Sequence, residues 1–239
     1  MLKKLFALWG LLLVMGGAYA DLPVRVVAFS VPFLLSENAE GPFADLLRLA
    51  AQEQGLTLEL EVLPASRARL KFAQEQADIL LPGVRSAMIS PHLASTPFYN
   101  KDIIAFTNLN ELVTRTEQLK NKVIGIVRGY SYPNFLLNVN GANYVSVTSD
   151  KQLIQMLLTG RIEIAFIERL AGVRILENLQ QENNPSYQAK INFDLNNPFS
   201  VDPVYFAFQP TKQGKELQQL FEQALSKIRS EKRLPEFVF

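Results

Sequence analysis

From Val24 onward, short apolar runs alternate with amphipathic stretches. The runs Val24–Phe29, Leu58–Val62, Asp78–Leu81, Ile103–Phe106, Val123–Val127, Tyr144–Val147, Ile164–Ile167 and Val204–Phe208 are rich in Val, Ile and Phe. Gly, Pro, Asn or Asp bounds them, which predicts eight strands. Between them the apolar period lengthens. Phe43, Leu46, Leu47, Ala50 and Ala51 recur at helical spacing until Gly55 stops them. Ser149 and Gln152 form a capping box ahead of Leu153, Ile154, Leu157 and Leu158, and Gly160 ends that turn. A last amphipathic stripe carries Leu217, Leu220, Phe221, Ala224, Leu225 and Ile228. Strands separated by helices predict an α/β fold of parallel sheets covered on both faces.

The N-terminus breaks this pattern. Lys3 and Lys4 precede an apolar run from Leu5 to Gly17 that closes on Ala18-Tyr19-Ala20. A positive start, a short apolar core and small residues two apart predict a secretory signal cleaved after Ala20. The run is shorter than the roughly 20 residues of a spanning helix. Cleavage would leave 219 of the 239 residues and, with Lys3 and Lys4 gone, turn the formal charge from +1 to −1. No later stretch is long and apolar enough to span a bilayer, so a soluble, exported product is expected.

Composition narrows the chemistry. With 24 Lys+Arg against 23 Asp+Glu, a basic nucleic-acid binder is excluded. Without cysteine and with His92 alone, so are a disulfide scaffold, a Cys/His zinc site and a lipidated N-terminal cysteine. Neither a Ser-His-Asp triad nor a glycine-rich phosphate cradle is evident, and no cofactor or metal is expected.

In open α/β sheets, ligands bind beyond the carboxyl ends of the strands. Those positions hold Phe29, Ser30, Pro32 and Phe33, then Pro82, Gly83 and Arg85, then Arg128-Gly129-Tyr130-Ser131, then Glu168 and Arg169. Aromatic walls, guanidinium groups, free backbone amides and one carboxylate suit a small zwitterion or an anion with an apolar part. Each has a plainer reading. Arg85 is a bidentate carboxylate clamp or a surface loop residue, and Arg128 a neighbouring solvated charge. Gly129, Tyr130 and Ser131 offer amides to an anion or form an ordinary turn. Glu168 faces ligand or pairs with Arg169 or Arg161. Phe29, Phe33, Phe98, Tyr99 and Tyr130 wall a site or fill the core. Asp45 reads as a helix-start charge, Asp78 as a strand-edge partner and His92 as an exposed loop residue. Arg67 and Arg69 read as a solvated helix face, with Arg67 able to point into a cleft.

Five segments together resemble the family 3 bacterial extracellular solute-binding proteins, the polar amino-acid-binding type. They are Gly41-Pro42-Phe43-Ala44-Asp45-Leu46, Gln76-Ala77-Asp78, Ser95-Thr96-Pro97-Phe98-Tyr99, the run from Lys122 through Gly129-Tyr130-Ser131, and the run from Gly160 to Glu168. The resemblance implies a type II clamshell: lobe 1 from 21–103 and 200–239, lobe 2 from 108–195, and crossings near 103–107 and 191–203. It further implies a monomeric, non-enzymatic protein that closes on an amino acid or related carboxylate and hands it to an ABC transporter permease. The chain departs from the family at two places. Met88 stands where the family's carboxylate-binding arginine is expected, with Arg85 three residues earlier, and Glu168 replaces the ammonium-binding aspartate. Alternatives on the same scaffold are a cyclohexadienyl or arogenate dehydratase-like enzyme, with Glu168 as general acid, and a periplasmic sensor input domain.

Overall fold

The computed structural model describes residues 22–183 and 191–235; the expected signal segment, residues 1–20, lies outside them. The chain runs β1 (Val24–Ala28), α1 (Pro42–Glu53), β2 (Leu58–Val62), α2 (Ala65–Ala73), β3 (Ile79–Val84), β4 (Leu93–Ala94) and β5 (Tyr99–Thr107). It continues β6 (Val123–Val127), α3 (Asn134–Leu137), β7 (Asn143–Val147), α4 (Asp150–Leu158), β8 (Ile164–Glu168), α5 (Arg169–Asn183), β9 (Ser200–Phe208) and α6 (Lys212–Ser230). The strands lie in the order β2-β1-β3-β9-β5-β8-β6-β7, with β4 also on β9, and curl into two α/β lobes.

The apolar pattern explains each lobe. In α1 the stripe Phe43, Leu46, Leu47, Ala50 and Ala51 is buried, and in α6 so are Leu217, Phe221, Ala224, Leu225 and Ile228. Both stripes pack on one face of the first sheet against Val26, Ile79, Leu81, Phe206 and Phe208. Successive strand residues point to opposite faces. Val27, Leu80, Tyr205 and Ala207 therefore face the other way, against Ala68 and Phe72 of α2. In the second lobe, Ile104, Phe106, Ala165 and Ile167 meet α4 and α5, while Ile103, Ala105, Ile164 and Phe166 meet Leu119, Tyr132 and Leu136. Each large apolar side chain so buried contributes about 1.5–3 kcal/mol.

The expectation of parallel sheets is only half right. β1 pairs in parallel with β2 and β3, and β6 with β7 and β8. But β9 is antiparallel to β3, β4 and β5, and β5 is antiparallel to β8. The cause is connectivity: β5 leaves the first lobe for the second, and β9 returns. Tyr99–Ile103 of β5 pairs with Ser200–Val204 of β9 between the lobes. Beyond that stretch Ile103–Thr107 pairs with β8, and Val204–Phe208 with β3. Both strands are longer than their apolar runs, because Asn100, Lys101, Asp102, Asp202 and Pro203 interrupt the pattern. Among the described residues no helix is long and apolar enough to cross a membrane.

Candidate functional site

Between the lobes lies a cavity of about 90 Å³. Phe29, Ser30, Val31 and Pro32 enter it from the end of β1, and Pro82 and Val84 from β3. Tyr99 and Lys101 face it from β5, two residues apart and hence on one side of the strand. Gly129, Tyr130 and Ser131 come from the turn after β6, where Gly129 has φ +83, a backbone region natural to glycine. Asp150 opens α4, Glu168 ends β8, and Arg69 reaches in from α2.

Four charged groups define its electrostatics. Arg69 is half-buried, with its guanidinium 5.6 Å from the centre of the Phe29 ring and one nitrogen donating to Gly129 O at 3.4 Å. Burial pulls the Arg69 pKa down from its ordinary value. The Lys101 ammonium donates to Ser131 O at 2.7 Å and to Ser131 Oγ at 3.2 Å, and lies 5.8 Å from the Tyr132 ring centre. Its pKa is also lowered by burial, against the pull of Asp202, Glu168 and Asp150.

Facing these cations are two carboxylates. Glu168, 8% exposed, caps α5: Oε2 accepts from Ala171 N at 3.0 Å, and Oε1 accepts from the Tyr99 hydroxyl at 2.8 Å. The helix N-terminus favours the anion. Burial outweighs that cap and both hydrogen bonds, so the Glu168 pKa is raised. Asp150, 3% exposed, follows the cap residue Ser149, whose Oγ accepts from Gln152 N. Its Oδ2 accepts from the Tyr130 hydroxyl at 3.0 Å, whereas Oδ1 is buried without a hydrogen-bond partner. Burial raises the Asp150 pKa, opposed by Tyr130, its own backbone and Lys101.

Of the residues singled out from sequence, Phe29, Ser30, Pro32, Pro82, Tyr99, Gly129, Tyr130, Ser131 and Glu168 line this cavity. Arg128 and Phe33 line the wider outer groove that continues from it. Phe33, 47% exposed, holds φ +64, an uncommon conformation for a bulky residue. Arg85 is exposed on the turn after β3 and lies outside the cavity lining. Glu168 pairs with neither Arg169 nor Arg161; Arg169 pairs with Asp102 at 2.5 Å. His92 is half-buried, not exposed, with Nε2 2.9 Å from the Tyr205 hydroxyl and its ring stacked on that tyrosine. Arg67 is exposed, and its neighbour Arg69 takes the inward position.

Lys101, Arg69 and Asp150 escaped sequence reasoning as site residues. Lys101 sits in a polar interruption of a strand, and Asp150 reads as an ordinary first-turn acid. One usable signal was the single-residue spacing between Tyr99 and Lys101, which sets both on one face. Among the described residues no cluster of three or more His, Cys, Asp or Glu is arranged to hold a metal ion.

No protein-family model matches the sequence, and no curated protein matches it. Solved structures do. The GluR0 ligand-binding core in complex with L-glutamate aligns with a TM-score of 0.69 at 16% identity, covering 91% of this chain and 100% of that one. A histidine kinase sensor domain with similarity to periplasmic binding proteins aligns with a TM-score of 0.67 at 15% identity, covering 88% and 92%. The amino acid ABC transporter substrate-binding protein AbpA from Streptococcus pneumoniae, bound to L-arginine, aligns with a TM-score of 0.64 at 19% identity, covering 88% and 91%. These similarities span both lobes, and the chain has the two-lobed α/β fold of the periplasmic-binding-protein clamshells.

Proposed function

We propose that this chain is a periplasmic solute-binding protein that closes on a small zwitterion, an amino acid or a related carboxylate, and delivers it to a membrane transporter. The observation that carries the reading is a cavity between the lobes whose lining balances Arg69 and Lys101 against Asp150 and Glu168. A net-neutral site with separated charges complements a solute that is itself neutral overall and charged at both ends. In this reading Arg69 and Lys101 hold the solute carboxylate, in place of Arg85. Gly129 and Ser131 add backbone and hydroxyl groups, and Phe29 and Tyr130 supply the walls. Lobe 1 is built from both chain ends, lobe 2 from the middle, and the paired stretch of β5 and β9 is the hinge. Closure is stabilised only as far as the solute binds the closed state better than the open one.

Sensor input is the second reading, supported by the likeness to a histidine kinase sensor domain. It changes the partner and leaves the site chemistry as it is. A dehydratase-like reaction is less favoured, because both Glu168 oxygens are engaged, by Tyr99 and Ala171. The test is a thermal-shift screen of residues 21–239 with amino acids and small organic acids. Solute at a hundred times its Kd adds about 2.7 kcal/mol to stability and raises the melting temperature. A flat response across the screen refutes the proposal.

A further inference from the structure

Resting on that reading of the cavity, we infer that Asp150, and not Glu168, accepts the cationic group of the solute, and that the site selects solutes bearing an ammonium or guanidinium group. Both Glu168 oxygens already accept a hydrogen bond, one from the Tyr99 hydroxyl and the other from the Ala171 amide, so neither is left unsatisfied. Asp150 differs. It lines the same cavity, its Oδ2 is fixed by Tyr130 at 3.0 Å, and its Oδ1 is buried with no donor. A buried acceptor left without a donor costs about 1–3 kcal/mol, and more when charged. Proteins rarely keep such an atom without a reason.

The surroundings define what completes it. Tyr130 holds one oxygen and so orients the other, acting as a positioning residue. A cation from the solute supplies both a donor and a countercharge, whereas a carboxylate there would add repulsion to an already buried anion. Lys101 donates to Ser131 O and Oγ and makes no hydrogen bond to Asp150. Among the described residues no ion pair is formed to Asp150, and a solute cation can supply it. The charge layout orders the solute, with its anionic end toward Arg69 and Lys101 and its cationic end toward Asp150 at the start of α4.

The test compares the parent with Asp150→Asn, Asp150→Ser and Glu168→Gln by isothermal titration. The probes are L-arginine, L-lysine, L-glutamate, L-alanine, putrescine and the amine-free acids glutarate, succinate and propionate. Circular dichroism confirms that each variant is folded. The expected result is binding of amine-bearing probes by the parent and weakening of about ten- to a hundred-fold in both Asp150 variants. Glu168→Gln should weaken them by less than about three-fold, well under one hydrogen bond to a charged group. Unchanged affinity in the Asp150 variants overturns the inference and leaves a water as the donor to Oδ1. If the parent binds only the amine-free acids, the inference falls while the solute-binding function stands. If no probe binds the parent, both fall together.

Discussion

Replacing Tyr99 with Phe isolates one buried interaction between strand β5 and the end of β8. The hydroxyl donates to Glu168 Oε1 at 2.8 Å, with Tyr99 9% and Glu168 8% exposed. The ring itself stays, so its edge contact with Phe43, at 5.5 Å between centroids, is retained and no cavity opens. Losing this hydrogen bond to a charged acceptor costs about 1.5–3 kcal/mol. For a chain of this size each kcal/mol moves the melting temperature by about 2–4 °C, so the expected drop is roughly 3–12 °C. The pH dependence adds a second check. The Tyr99 bond pulls the Glu168 pKa down against burial, so its removal raises that pKa further. The penalty is therefore full at pH values where Glu168 is ionised in the parent, and shrinks as pH falls and the carboxyl protonates in both proteins. Urea unfolding of both proteins at neutral pH and at pH 4.5 measures this. Equal midpoints at neutral pH, or a deficit that grows on acidification, would refute the account of Glu168.

Three further outcomes are expected. In Gly172→Ala the new Cβ would lie 2.2 Å from Phe106 Cζ, and that ring is fully buried against Phe193. Overpacking of about 1–3 kcal/mol then exceeds the roughly 1 kcal/mol gained in helix propensity, and thermal unfolding should show a net loss. For Asp78, burial opposes ionisation, but the Arg25 side-chain and backbone hydrogen bonds and its charge prevail and lower the pKa. That stabilisation is present above the unfolded pKa and is lost as pH falls through the folded one. Asp78→Asn should accordingly flatten the acid limb of a stability–pH curve, and an unchanged limb would exclude the pair as its source. Asp150 has the opposite sign: its pKa is raised, so stability is full below the unfolded value and is lost as pH rises through the folded one. The groups facing it are Lys101 from β5, Tyr130 and Tyr132 from the turn after β6, and Glu168 from β8. Without solute, Asp150→Asn should melt higher than the parent at neutral pH, with the gap closing toward acid. A neutral-pH melting temperature at or below the parent's would count against a strained Asp150.

Strands that coincide with one alternating or one unbroken apolar run were legible in sequence: Leu58–Val62 and Val123–Val127 match residue for residue. The two that join the lobes were cut short, because a stretch flanked by cleft on one side and solvent on the other carries Lys101, Asp102 and Asp202 and looks like a loop. Parallel pairing was overextended for a related reason, since helices between strands do not reveal a chain that changes lobes. The apolar ends of β1 and β8 pointed to Phe29 and Glu168, and both line the cavity. Of the two readings of Arg85 the structure shows the exposed loop residue, whereas Arg69, read as part of a solvated helix face, lines the cavity: being just past a strand marks a place, but only the orientation of a helix says which of Arg67 and Arg69 turns inward.

The place of β9 in the first sheet has a consequence for how the molecule comes into being. β9 lies between β3 and β5, and β4 has its recorded pairing only with β9. Phe206 and Phe208 then pack beneath Phe221 of α6. A growing chain reaches these residues only after every other described strand, so until then β3 presents a bare edge and the first core lacks a wall. Contacts this distant in sequence also form slowly. The strands of the first lobe must therefore wait for β9 before that lobe can close, and until then its apolar surface and open strand edge are exposed to wrong pairing.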